Sequence, residues 1–253
     1  MMKLNLDNLL FEVTRKCNME CLHCLRGKAQ DVNISRKIIN RALKDVTQIS
    51  SLSFTGGEPT LNIPAMKYIF KQIHKQNIEL QSFWLATNGK VYNQSFMNVL
   101  FEEYVKCVDL NGGEFYGGIA VSHNDGFHEG ILKENLIKYQ CVKFYDDSKA
   151  HKLKNESIIS DGNARINSLG ERKLKIEKHL DYEIYDNEIR IESELYINAL
   201  GDVLLMCDLS YARQKRAVIG NVLKTPLIEI IKAQIKNQDP EITFQDLNVL
   251  VEA

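Results

Sequence analysis

Hydrophobic and polar positions along the first two-thirds of the chain alternate between two periods. Short apolar runs of strand length are separated by stretches in which apolar residues recur every three or four positions. Leu9–Val13 reads as a first strand. Ser35 is placed to cap a helix running to about Gln48, with Ile38, Ile39, Leu43 and Val46 on one face. Leu52–Thr55 reads as a second strand, and a helix follows from Pro64 to about Lys75, with proline where a first turn tolerates it. Leu80–Ala86 is a third strand closed by the turn signal Thr87-Asn88-Gly89. Gln94–Tyr104 fits a helix, and Gly118–Val121 a fourth strand leading into Ser122-His123-Asn124-Asp125-Gly126. Glu129–Tyr139 is helix-like and Val142–Tyr145 a fifth strand. Strand–loop–helix units of this length predict an α/β fold, its parallel sheet either open or curled into a partial barrel.

After about residue 150 the pattern changes. Lys152–Asn155 and Gly170–Lys178 are charged and irregular. Glu194–Asn198 and Asp202–Met206 flank Ala199-Leu200-Gly201 and read as a β-hairpin. Ile219-Gly220-Asn221-Val222 is a turn, and Thr225-Pro226 opens a helix through about Ile235. With only 4 prolines and no repeats, nothing suggests a flexible tether between domains. The expected division is a core over residues 1–190 and a cap packed on it over 191–253.

Composition narrows the setting. A net charge of −1 gives no global field for nucleic acid or an anionic membrane. No apolar stretch approaches the ~20 residues needed to span a bilayer, and Met1–Asp7 lacks the features of a secretory signal. Of the 6 cysteines, Cys17, Cys21 and Cys24 share one short window, which reads as metal chemistry rather than a disulfide framework. A cytoplasmic protein is expected, with Cys107, Cys141 and Cys207 as buried small hydrophobes.

The cysteine window carries the chemistry. A C-x3-C-x2-C run puts three thiolates on one loop, one fewer than a closed zinc site or an electron-transfer cubane takes. Such a cradle suits a 4Fe–4S cluster with one iron left open for chemistry. A zinc site completed by His23 or a distant residue is the alternative. Thr55-Gly56-Gly57-Glu58-Pro59 follows the second strand, so each suspicious loop falls at a strand's C-terminal end, where such folds place active sites.

The cysteine run, Gly-Gly-Glu-Pro after the next strand, Thr-Asn-Gly after the third and Ser122 after the fourth together resemble the radical S-adenosylmethionine superfamily, across roughly residues 8–145. The tail, LYINALGDVLLMCDLSY…IGNV…LIEII, resembles the C-terminal extension of members that carry SPASM or twitch domains, with Cys207 alone of their auxiliary-cluster cysteines. The resemblance implies a parallel sheet curled into a partial (β/α)6-type barrel, with a small β-hairpin-plus-helix cap. It implies that Cys17, Cys21 and Cys24 each ligate one iron of a single 4Fe–4S cluster, and that S-adenosyl-L-methionine chelates the fourth. His23 would lie beside the adenine, Gly56 and Gly57 would let the backbone approach the methionine ammonium, and Glu58 would fix that loop. Asn88 and Ser122 would lie near the ribose and methionine. Asn163-Ala164-Arg165 is similar to a Gly-Arg-Ala element of some relatives, without its glycine in place. The implied activity is reductive cleavage of S-adenosylmethionine to a 5′-deoxyadenosyl radical that abstracts hydrogen from a peptide or small-molecule substrate. A low-potential donor such as flavodoxin or ferredoxin would supply the electron. A glycyl-radical-enzyme activase, or a non-catalytic zinc-binding interaction module, are the other readings.

Overall fold

The computed structural model describes residues 2–122, 132–147, 154–242 and 244. The His123 and His128 loop and the expected start of a helix at Glu129 lie outside them.

The first strand, β1 (Lys3–Thr14), is longer than its apolar run suggested. Leu4 and Leu6 are buried, then Leu9, Phe11 and Val13. The parity of the apolar positions changes at Asp7-Asn8, and the pairing register shifts between Leu6 and Asn8, as a bulge requires. Helix α1 (Arg36–Ala42) starts where Ser35 Oγ accepts from the Ile38 N–H. It ends well before Gln48, because Asp45 takes a left-handed φ of 67° and turns the chain. Val46, expected on the helix face, instead opens β2 (Val46–Gly56). Helix α2 (Ile63–Lys75) follows a short 3-10 turn at Pro59–Asn62. The expected third strand is split into β3 (Glu79–Leu80) and β4 (Phe83–Thr87), both paired parallel to β2. Helix α3 (Gln94–Leu110) and strand β5 (Gly118–Val121) come next. After α4 (Lys133–Gln140) the expected fifth strand does not form. Tyr145 makes one isolated parallel bridge to Ile119.

After a 3-10 turn at Asn155–Ser157 come α5 (Gly162–Ile166), β6 (Tyr182–Tyr185), β7 (Glu188–Ile197), β8 (Asp202–Leu204), α6 (Tyr211–Ala217), β9 (Gly220–Asn221) and α7 (Leu227–Gln238). The hairpin about Leu200 is present as β7–β8, but its first arm has a second role. Strand β7 pairs parallel to β1 along most of its length, so it belongs to the central sheet, and the expected boundary at 190/191 falls inside it. The sheet order is β5-β4-β2-β1-β7-β8-β9, with β3 also on β2 and β6 also on β7. The fold is mixed α/β with a mostly parallel sheet. The barrel is not closed, since β5 and β9 end the order without pairing to each other.

Alternation along β1 divides the interior. Leu9, Phe11 and Val13 join a large core with the apolar sides of α1, α2, α3 and α7. Phe54, Phe70, Phe83 and Phe144 meet there edge to face. Leu10 contributes to a second, smaller core with Tyr196, Leu204, Leu209 and Ala217. Helix α7 therefore packs with the outer helices, and α6 with its approach covers the other side of the sheet.

Candidate functional site

Parallel strands of one sheet end on one edge, so the loops that follow them can converge. Here the loops after β1, β2, β4 and β5 line one cavity of ≈ 360 Å³. Its walls include Cys17, Cys21, His23 and Cys24, then Gly56, Gly57 and Glu58, then Asn88 and Ser122. The residues expected to ligate metal or contact a cofactor all line this cavity, whereas Asn163, Ala164 and Arg165 do not.

Cys17, Cys21 and Cys24 are free and partly exposed to the cavity. The Cys24 N–H donates to the Cys21 carbonyl at 3.1 Å, giving the loop its turn. Burial pushes the Cys17 thiol up, and pushes Cys21 up to about 11, where neighbouring Cys24 and Cys17 add repulsion. Three thiolates side by side thus need a positive centre to become stable ligands, and a bound metal deprotonates a coordinating thiol outright. Among the described residues, no group of three or more His, Cys, Asp or Glu forms a site for a metal ion. A cubane asks for something else, one thiolate at each of three irons, and this soft, sulfur-only set facing a cavity fits it. His23 lines the same wall, and burial lowers its imidazole below the ordinary value.

Gly56 and Gly57 also have a structural role behind the cavity wall. A side chain on Gly56 would collide with the Thr14 carbonyl, and one on Gly57 with the carbonyl of Lys16. Both glycines line the cavity and turn their Cα hydrogens to the root of the cysteine loop. The Gly57 and Glu58 N–H groups donate to Thr14 and Lys16 carbonyls at 2.9 and 2.8 Å. Their absent side chains let two loops lie back to back.

Glu58 is buried and acts as a clamp. Its Oε1 accepts from the Thr60 N–H and hydroxyl and from the Thr87 hydroxyl at 2.7 Å, while Oε2 accepts the Asn88 N–H at 2.8 Å. Burial raises its pKa, and these bonds work in the opposite direction. Asn88 Nδ2 donates to Asn18 Oδ1 at 2.7 Å, tying the Thr-Asn-Gly turn to the cysteine loop. The Ser122 N–H donates to the Thr87 carbonyl at 2.8 Å, which continues the chain of contacts to β5.

Several residues of the site were not singled out as ligands or contacts. Helix α5 clasps the cysteine loop from outside: the Asn163 N–H donates to the Cys24 carbonyl at 2.8 Å, its side-chain amide to Cys21 O, and Asn167 Nδ2 to Leu22 O. Gly162, with φ 54°, sits against Leu25, Gly27 and Cys24, where a side chain would collide. The turn-forming run Ser160-Asp161-Gly162-Asn163 is the local signal that could have marked this contact. Arg26 lines the cavity and reaches back to the tail, donating to the carbonyls of Cys207 and Leu209.

The root of the loop is held by a buried ion pair. Arg15 Nε donates to Glu12 Oε1 at 2.6 Å, and Arg15 Nη2 to Gln214 Oε1 at 2.6 Å. Tyr196 and Gln214 donate to Glu12 Oε2. Burial alone would raise the Glu12 pKa, but the Arg15 and Arg26 charges beside it hold the carboxyl below its ordinary value. Of the other cysteines, Cys107 is buried and donates to the Leu80 carbonyl, and Cys207 is largely covered. Cys141 is exposed, contrary to expectation, because it ends α4 on the outer surface.

Residues 9–116 match the model of a family described as a 4Fe-4S single cluster domain. Protein YfkA of Bacillus subtilis is 30% identical over 86 residues, which are 31% of this chain and 23% of that protein. The GTP 3′,8-cyclase of Clostridium acetobutylicum is 32% identical over 91 residues, 34% of this chain and 28% of the cyclase. The chain thus spans well under half the length of these curated relatives. Among solved structures, native anSMEcpe with bound AdoMet and Cp18Cys peptide aligns at a TM-score of 0.47 and 12% identity, over 90% of this chain and 80% of that one. SuiB of Streptococcus suis bound to precursor peptide SuiA aligns at 0.45 and 12%, over 89% and 64%. At those scores the structural likeness carries no weight beyond itself. Among the described residues, no helix is long and apolar enough to cross a membrane.

Proposed function

We propose that the chain is a radical S-adenosylmethionine enzyme that generates a 5′-deoxyadenosyl radical for hydrogen abstraction from a peptide or small molecule, a reading supported by its match to a 4Fe-4S single cluster domain and its likeness to the cyclase. The observation that carries this reading is the meeting of the C-x3-C-x2-C loop, the Gly-Gly-Glu-Pro turn, the Thr-Asn-Gly turn and Ser122 on one cavity. When bound, a reduced 4Fe–4S cluster and S-adenosylmethionine supply one-electron cleavage of the sulfonium and the radical that follows.

The chain's own residues hold and shield that chemistry. Cys17, Cys21 and Cys24 ligate three irons, and the Asn163 and Asn167 amides occupy the loop's outward carbonyls so that its thiols face the cavity. Glu58 aligns the two turns on the cavity wall; when S-adenosylmethionine is bound, Asn88 and Ser122 would offer polar groups to its ribose and methionine, and His23 a flat ring to its adenine. A low-potential donor such as flavodoxin or ferredoxin would deliver the electron. The sheet, β7 included, acts as a partial (β/α)6-type barrel, and the tail beyond β7 as a reduced SPASM-like cap without auxiliary-cluster cysteines.

Anaerobic reconstitution tests the reading. The wild-type chain is expected to hold about four irons and to release 5′-deoxyadenosine from S-adenosylmethionine under reduction. Cys21→Ala should lose most iron and all of that cleavage, while Cys207→Ser should keep the wild-type iron content. Stoichiometric zinc in place of iron, or wild-type cleavage by Cys21→Ala, would overturn it.

A further inference from the structure

Tyr211 is the first residue of α6, and its place is unusual for a phenol. The residue is 5% exposed, and its hydroxyl oxygen is buried without a hydrogen-bond partner in the protein. Leaving a buried hydroxyl unsatisfied is unfavourable, so such a group in a folded protein asks for a reason. Tyr211 is held firmly where it is. Its N–H donates to the Arg26 carbonyl at 3.1 Å, two residues beyond Cys24, and the Arg15 guanidinium lies over its ring at 4.5 Å.

The ionisable groups whose fields act most strongly on the phenol include Glu12, Arg26, Arg15 and Cys24. Arginine has no acceptor. The Glu12 carboxylate already receives Arg15 and the Ala199 N–H on one oxygen, and Tyr196 and Gln214 on the other. Of these neighbours, only the sulfur at Cys24 remains open to a donor. In the free protein that sulfur is beyond hydrogen-bond reach of the phenol. An inorganic cluster at Cys24 would add sulfide to the same neighbourhood and bring acceptors closer.

We infer that the Tyr211 hydroxyl donates a hydrogen bond to the sulfur set anchored at Cys24, a bridging sulfide or the ligating thiolate. This rests on the cluster reading above and assigns the tail a task in it. Hydrogen bonds to cluster sulfur stabilise the reduced, more negative state and raise the reduction potential. Tyr211 thereby tunes the cluster as a positioning residue of the tail, without touching substrate.

Tyr211→Phe keeps the ring under Arg15 and removes only the hydroxyl. The expected result has three parts: undiminished iron content, an apoprotein at least as heat-stable as wild type, and a cluster that is harder to reduce. A tenfold shift of the one-electron equilibrium is about 59 mV, read by redox titration of the reduced-cluster electron paramagnetic resonance signal. The iron–thiolate stretching bands in resonance Raman should move with it. An unchanged potential and spectrum in a fully loaded variant would overturn the inference while leaving the cluster reading intact. So would a less stable apoprotein, which would mean that the hydroxyl already has its partner in the fold, or a folded apoprotein that no longer retains iron. A wild-type chain that takes up no cluster would instead overturn the reading on which it rests.

Discussion

At the scale of single residues, the site depends more on clamps than on contacts that point into the cavity. Glu58 was expected to help fix its loop, and its carboxylate is fully occupied in doing so, with acceptors turned to Thr60, Thr87 and Asn88. Glu58→Gln keeps the shape but replaces one accepting oxygen by an NH2 group, which cannot receive the Asn88 N–H. The expected loss is about 1–3 kcal/mol for a buried donor left unsatisfied, measured by urea unfolding of the apoprotein. A weaker grip on S-adenosylmethionine should accompany it in equilibrium binding, because Asn88 and the cysteine loop share the Asn18 contact. Unchanged stability would mean that the four bonds are not clamping the turns.

At the scale of elements, the cysteine loop is held from two sides by pieces distant in sequence. The Gly-Gly turn after β2 lies behind its root, and α5 lies against its outer face. Gly162 sits at the tightest point of that clasp, with a φ of 54° and no room for a side chain. Gly162→Ala should cost about 1–3 kcal/mol in local strain and push α5 off the loop. The expected signature is a folded protein with wild-type circular dichroism that loses iron faster to a chelator. Chelation at the wild-type rate would show that α5 does not hold the loop closed.

At the scale of the whole molecule, the buried Glu12–Arg15 pair joins the start of the cysteine loop to β7 and α6. Removing one partner of such a pair strands the other charge, so Glu12→Gln should cost about 3 kcal/mol near neutral pH. The pH dependence has a definite sign. A carboxyl whose folded pKa is depressed stabilises the fold above its unfolded pKa, and that contribution is lost as pH falls through the folded value. The stability gap between wild type and Glu12→Gln should therefore be full at neutral pH and narrow under acid conditions. Glu58, with its pKa raised, pulls the other way as pH rises, which is why the comparison must be made against the Glu12 variant. A gap that does not change with pH would mean that Glu12 is not the ionised centre of this network.

What the chain determines locally was legible without a fold. The apolar run at Gly118–Val121, the Ser35 cap and the proline-led helix reflect short-range sterics and hydrogen bonding, and the structure keeps them. The loops that carry Cys17, Cys21, Cys24, Asn88 and Ser122 were placed at strand ends by pattern, their roles came from the resemblance, and parallel strands bring such ends together. Other features needed tertiary contacts. Val46 suits a helix face as well as a strand, and only pairing with β1 decides for β2. Val142–Tyr145 has the composition of a strand, yet it forms one bridge to β5. Strand β7 reads as half of a local hairpin, and its place beside β1 is a long-range pairing that no local pattern encodes. Gly56 and Gly57 announced a close approach, but which surface approaches them was decided by the loop folded behind. The burial of Tyr211 against the Arg26 backbone belongs to the same class, because the partners of a side chain across nearly two hundred residues are set by packing and not by neighbours in the chain.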